Sequence, residues 1–134
     1  MPRTVLVVDD DPVVHQVLHH YLGRKGYQMI NANNGREAIA AATRELPQLI
    51  ILDVRMPEMG GLTALRQLKE IESTKAIPVI VLSVHADRET RLESESSGAA
   101  VFLTKPFSPA QLLTEIRRLI PGTEPDDKAG NTLE

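Results

Sequence analysis

Val5-Leu6-Val7-Val8-Asp9-Asp10 is an apolar run closed by two carboxylates, and Leu49-Ile50-Ile51-Leu52-Asp53 repeats the arrangement with one. Short aliphatic runs without polar alternation read as strands buried on both faces, as in a parallel sheet covered by helices. Further runs at 27–32, 77–83 and 99–103 join those at 4–9 and 48–53. Tyr27-Gln28-Met29-Ile30 mixes polar with apolar residues and suits an edge, so the second strand is expected to be peripheral.

Helical periodicity fills the intervals, which makes the fold class α/β. Asp11 is placed to cap a helix with Pro12 at its first position. Val14, Val17, Leu18 and Tyr21 supply an i, i+3, i+4, i+7 stripe, Arg24 and Lys25 suit the helix C-terminus, and Gly26 its stop. Further helices are expected at 35–45, 62–72, 87–96 and 109–120, the last with Leu112, Ile116 and Leu119 inward. The helix at 87–96 has one large hydrophobe, Leu92, so its burial should be slight and its position easily displaced.

The chain has 134 residues, enough for one domain with a single core. That domain is expected over 1–120, with 121–134, which contains Pro121 and Pro125 and has no period, as a flexible tail or linker. Apolar residues make up 42% and the net charge is -3, which favours neither disorder nor direct nucleic-acid binding. The absence of cysteine excludes disulfides and thiolate metal sites. No secretion signal and no stretch of the roughly 20 apolar residues that a membrane helix needs is present, so a cytoplasmic location without membrane contact is expected.

Right-handed crossovers bring all strand C-termini to one sheet edge, where ligands of open α/β sheets bind. Asp9, Asp10, Asp53, Ser83 and Lys105 all fall at or just after such termini. Crowded carboxylates raise one another's pKa, so something positive must sit among them. Three carboxylates, an ammonium and a hydroxyl make a site for a hard divalent cation beside a carboxylate nucleophile, suited to phosphate.

Four blocks in order, Val7-Val8-Asp9-Asp10-Asp11-Pro12, Leu52-Asp53-Val54-Arg55-Met56-Pro57-Glu58-Met59-Gly60-Gly61, Val81-Leu82-Ser83 and Phe102-Leu103-Thr104-Lys105-Pro106-Phe107, resemble the receiver domains of two-component response regulators over about residues 3–120. The resemblance implies a flavodoxin-like, CheY-like (βα)5 fold with strand order 2-1-3-4-5. It implies phosphorylation of Asp53 by a histidine kinase or phosphotransfer protein, with Mg2+ held by Asp9, Asp10, Asp53 and the backbone carbonyl of Arg55. Asp10 would ligate directly and Asp9 through water, while Asp11 matches no acidic position and is read as a cap. Lys105 would pair with the Asp53 carboxylate and then with a phosphoryl oxygen, and its bond to Pro106 would be cis. Ser83 would hydrogen-bond the phosphoryl group, and Phe102 would turn inward into the space vacated. Lacking a phenolic group, Phe102 gains no hydroxyl hydrogen bond outward, so the inward state is favoured. The implied protein is not an enzyme but a switch that assists its own phosphorylation and dephosphorylation. It signals through the face of helix 4, strand 5 and helix 5, to a downstream protein or an absent output domain, with homodimerisation through that face an option.

Some positions depart from the commonest receiver pattern. Val84 stands where alanine or glycine is usual and should narrow access to the phosphoryl group; Arg55 and His85 flank the site at variable positions that modulate hydrolysis. Gly60 replaces a common acidic residue beside Gly61, which should loosen that loop. His15 and His19 stand four apart, a spacing able to hold zinc, with His20 adjoining. No carboxylate or cysteine accompanies them, so they are read as solvent-facing. Two other classes compete. A Mg2+-dependent phosphatase of the haloacid-dehalogenase type would carry an acid two residues after its aspartate, where this chain has Arg55. A degenerate receiver acting only as a binding module would not keep the full set of Asp9, Asp10, Asp53, Ser83 and Lys105.

Overall fold

The computed structural model describes residues 3–54 and 60–121. Strands β1 (Arg3–Val8), β2 (Tyr27–Ala32), β3 (Leu49–Leu52), β4 (Val79–Ser83) and β5 (Val101–Thr104) alternate with helices α1 (Pro12–Gly23), α2 (Gly35–Glu45), α3 (Gly61–Glu70), α4 (Arg88–Ser96) and α5 (Pro109–Leu119). The strands form one parallel sheet in the order β2-β1-β3-β4-β5, the doubly wound flavodoxin-like topology that the family resemblance implies. Register aligns Val8 with Leu52 and Leu52 with Val81, so β1 and β3 end level and β4 runs two residues further, to Ser83.

The pleat sorts the apolar runs into two cores. Val5, Val7, Leu49, Ile51, Ile80 and Leu82 face α1 and α5, meeting Leu18, Leu22, Leu112 and Ile116. Leu6, Val8, Ile50, Leu52, Val79 and Val81 face the other way onto Ala38, Ala42, Leu65 and Leu68 of α2 and α3. Each buried Leu or Ile side chain contributes about 1.5–3 kcal/mol relative to exposure, so β1, β3 and β4 are held rigidly between two layers.

Local signals set the helix ends. The Asp11 side chain accepts the Val13 N–H at 2.9 Å, with Pro12 beginning α1, and Gly26 takes the positive φ of 95° that turns the chain into β2. Ser108 caps α5 in the same way, through the Gln111 N–H.

Two readings of α1 need correction. Its buried stripe is Val14, His15, Leu18 and Leu22, whereas Val17 is 41% exposed and Tyr21 only half-buried. The helix is rotated so that Leu22, not Tyr21, fills the core. His15 is therefore not solvent-facing but 7% exposed, whereas His19 and His20 are exposed. In α4 the one large hydrophobe, Leu92, points outward at 49% exposure. The helix buries only Thr90 and Ser94, and the Ser94 hydroxyl donates back to the Thr90 carbonyl at 2.8 Å. With no aliphatic side chain fully buried, α4 is the most weakly anchored of the described helices. The tail reading at 121–134 lies, apart from residue 121, outside the described residues.

Candidate functional site

Asp9, Asp53, Ser83 and Lys105 are the residues that follow the last strand positions or close them at the C-terminal sheet edge. Ladder bonds continue beyond the strands and fix these residues: the Asp9 N–H donates to Ala32 O, Asp53 N–H to Val8 O, and Lys105 N–H to Ser83 O. The backbone of the site is thus an extension of the sheet rather than a free loop.

A carboxylate oxygen from each of Asp9, Asp10 and Asp53 lies within 4.8 Å of the other two. Asp9 and Asp53 are buried, and Asp10 is exposed. Lys105 Nζ bridges the two buried carboxylates, donating to Asp9 Oδ2 at 2.6 Å and to Asp53 Oδ2 at 3.0 Å. The second oxygen of Asp9 accepts the Asp11 N–H at 2.9 Å. The Lys105-Pro106 peptide is cis.

Burial raises the Asp9 carboxyl above its ordinary value, aided by the Asp53 charge, and the Lys105 ammonium and Asp11 N–H only partly offset this. For Lys105 burial pulls downward, yet hydrogen bonds and charges from Asp9 and Asp53 together outweigh it and the ammonium is held above its ordinary value. One ammonium is therefore shared between the two buried carboxylates of a cluster of three, and the burial of Asp9 is only partly compensated. Hard oxygen donors gathered at this spacing fit Mg2+, which prefers oxygen ligands and retains water. The proposed fourth ligand, the Arg55 carbonyl, lies outside the described residues.

The sign of the Asp9 shift gives a prediction. A carboxyl whose folded pKa is raised contributes stability that is complete below its unfolded value near 3.8 and is lost as pH rises through the folded pKa. In chelator, Asp9→Asn is expected to melt a few degrees higher than the parent at neutral pH. The gap closes toward acid, where Asp9 is protonated anyway. Parallel melting curves for the two proteins at every pH would contradict this.

Ser83 is fully buried, and its hydroxyl accepts the His85 N–H at 3.1 Å, which leaves its own O–H to donate. Val84 is 62% exposed and His85 is exposed, both on the loop leaving β4. Phe102 is half-buried against the second core, with the Arg91 guanidinium of α4 over its ring at 4.7 Å from the centroid. That contact ties α4 to β5, and the sequence reading missed it. It also missed His15, whose ring Nε2 donates to the Asp9 carbonyl at 2.8 Å. Centring the α1 stripe on Leu18, with i−4, i−3 and i+4 at 14, 15 and 22, would have found it.

The loop expected to be loosened by Gly60 lies largely outside the described residues, and Gly61 at its end is closely packed. Gly61 N–H donates to Val54 O at 3.1 Å, and a Cβ there would stand 2.1 Å from the Asp53 carbonyl oxygen. Gly61 is a packing residue that lets α3 start against the Asp53 peptide. The preceding residues, 55–59, lie outside the described part.

A family model described as the response regulator receiver domain matches residues 5–117. Over 132 residues the chain is 37% identical to the response regulator MprA of Mycolicibacterium vanbaalenii, covering 98% of this chain and 56% of that protein. The chain spans about half the length of that and several other curated relatives it matches, such as the MprA of Mycobacterium leprae at 54%. Among solved structures, the Vibrio cholerae chemotaxis protein CheY4 superposes with a TM-score of 0.83 at 34% identity, covering 89% of this chain and 99% of that one. The receiver domain of the sensor histidine kinase PA1611 from Pseudomonas aeruginosa, with a magnesium ion coordinated in its active site cleft, gives 0.83 at 29% identity, covering 90% and 98%. Among the described residues, no helix is long and apolar enough to cross a membrane.

Proposed function

The chain belongs to the response regulator receiver domain family of two-component signalling switches, and from this premise we propose that Asp53 is the phosphoacceptor, taking a phosphoryl group from a histidine kinase or phosphotransfer protein in the cytoplasm. The observation that carries this reading is the lysine bridge, with Lys105 Nζ on Asp53 Oδ2 at 3.0 Å beside two further carboxylates at one sheet edge.

In this reading one carboxylate oxygen of Asp53 attacks the donor's phosphorus. The bond to the donor's imidazole nitrogen, or to the acetyl oxygen of a small donor, breaks, and the leaving group departs with its electron pair. Transfer of this kind needs in-line positioning and positive charge on the equatorial oxygens rather than a strong base. Mg2+, when bound by Asp9, Asp10, Asp53 and the Arg55 carbonyl, supplies most of that charge. Lys105 exchanges its contact with Asp53 for one with a phosphoryl oxygen while remaining on Asp9. The Ser83 hydroxyl donates to another oxygen, moving away from the His85 N–H that it now accepts.

Signal output then follows from the weak anchoring of α4. Movement of Ser83 opens space near Phe102, and because Arg91 stacks on that ring, an inward turn of Phe102 carries α4 with it. A population moved from 1:99 to 99:1 requires about 5.5 kcal/mol of differential stabilisation, which a few charge-assisted hydrogen bonds supply. The α4/β5/α5 face passes the signal to a downstream protein, an output domain or a second copy. A protein donor has a surface to hold at the site: exposed Val13 and Val17 lie with Pro106 and Phe107 around a recess of about 230 Å³ next to Lys105.

Acetyl phosphate with Mg2+ tests the reading against its rivals. A receiver gains one phosphoryl group, mapped by mass spectrometry to the Asp53 peptide. A phosphatase of the dehalogenase type turns over and releases phosphate catalytically, and a binding-only module stays unmodified. Val84, which lies exposed beside the switch hydroxyl, should shield the acyl phosphate. Val84→Ala is expected to accept phosphate from acetyl phosphate several-fold faster and to lose it several-fold faster. Equal rates in the two proteins would refute the shielding role.

A further inference from the structure

The phosphoryl chemistry leaves unused a pair of histidines on α1 whose ring nitrogens are turned toward one point. The His15 ring is buried, and its Nε2 lies 2.8 Å from the Asp9 carbonyl oxygen. A carbonyl only accepts, so Nε2 carries the hydrogen and Nδ1 is the ring nitrogen left to face β2. That Nδ1 is 3.0 Å from Asn31 Oδ1 of β2, and Nε2 of His19, one helical turn on, is 2.9 Å from the same oxygen. Two imidazole nitrogens and an amide oxygen therefore converge at the side of a recess of about 510 Å³ that Gln16 and His20 also line.

The surroundings match those of a metal ligand. An imidazole that binds a metal through one nitrogen is commonly oriented by a backbone carbonyl or carboxylate accepting from the other, which is what Asp9 O does for His15. Spacing of four residues puts both rings on one face of the helix. Imidazole nitrogens suit ions of the Zn2+ class, whereas the all-oxygen cluster of Asp9, Asp10 and Asp53 suits Mg2+. We propose that His15 Nδ1, His19 Nε2 and Asn31 Oδ1 bind one divalent transition ion of the Zn2+ class, with water from the open recess completing its shell. Without the ion, the Asn31 amide turned over gives one N–H to each ring, and metal binding displaces that arrangement.

The full chain, stripped by chelator and then held in excess Mg2+, is titrated with ZnCl2 by calorimetry, and Co2+ loading is followed by its visible absorption. One ion per chain is expected, bound with roughly tenfold or greater loss of affinity in His19→Ala, and with little change in Asp10→Asn. His19 is exposed, so its replacement leaves the fold intact, as circular dichroism checks. Binding undiminished by His19→Ala, or abolished by Asp10→Asn, would place the ion elsewhere and overturn the site. Absence of saturable binding overturns it equally.

Discussion

Asp53→Asn is expected to take no phosphoryl group from acetyl phosphate and Mg2+, under conditions in which the parent protein is expected to take one. The substitution keeps shape and volume and keeps an oxygen for Lys105 Nζ, now 3.0 Å from Asp53 Oδ2, so the fold should be retained with a melting temperature close to the parent's. What is lost is the anionic oxygen. An amide oxygen is a poor nucleophile toward phosphorus. Incorporation should drop below detection rather than fall by a modest factor. Intact-protein mass spectrometry after brief exposure to donor reads the result directly. A variant that still gained phosphate, with the modification mapped to Asp9 or Asp10, would show that the nucleophile had been misassigned within the carboxylate cluster.

Gly61→Ala should be the most destabilising single methyl that can be added near the site. Its Cβ would lie 2.1 Å from Asp53 O, 2.4 Å from Val54 Cα and 2.9 Å from Asp53 C, all backbone atoms that no rotamer change can clear. Either α3 retreats from β3, or the Asp53 peptide moves and takes its carboxylate off Lys105. Overpacking of this kind costs about 1–3 kcal/mol, and a backbone clash belongs at the upper end. Urea unfolding should show a lower midpoint with an unchanged slope. Gly60→Ala is the control, since the nearest atom to its Cβ is Val54 O at 3.9 Å and φ is −67°, open to any residue. If both alanines unfold at the same urea concentration, the close approach at Gly61 has no energetic consequence.

The two variants separate chemistry from support. Asp53→Asn is expected to remove phosphoryl acceptance from an intact scaffold, whereas Gly61→Ala would reach Asp53 through the backbone that carries it. Phosphorylation of Gly61→Ala should therefore be slowed in proportion to the displacement of Asp53, and it should not be lost outright.

The chain of residues determined a good deal without coordinates. Buried parallel strands must be apolar on both faces, which made β1, β3 and β4 visible as uninterrupted runs, and the mixed Tyr27–Ala32 run fell at the edge as its polarity required. Crossover handedness then forced Asp9, Asp53, Ser83 and Lys105 to one end, because strand termini in such a sheet have nowhere else to go. The cap at Asp11 was legible because capping acts over two or three residues of chain, whereas the Ser108 cap of α5 was not read from the sequence.

Only tertiary packing decided the rest. The rotation of α1, which buries His15 and Leu22 and exposes Val17, depends on the shape of the sheet beneath it, and an amphipathic pattern tolerates a rotation of that size. The sharing of Lys105 between Asp9 and Asp53, the stacking of Arg91 on Phe102 and the meeting of His15, His19 and Asn31 join residues far apart in sequence or on different elements. Such contacts leave no periodic signal, because they arise from distances that the chain sets only once its layers have closed on each other.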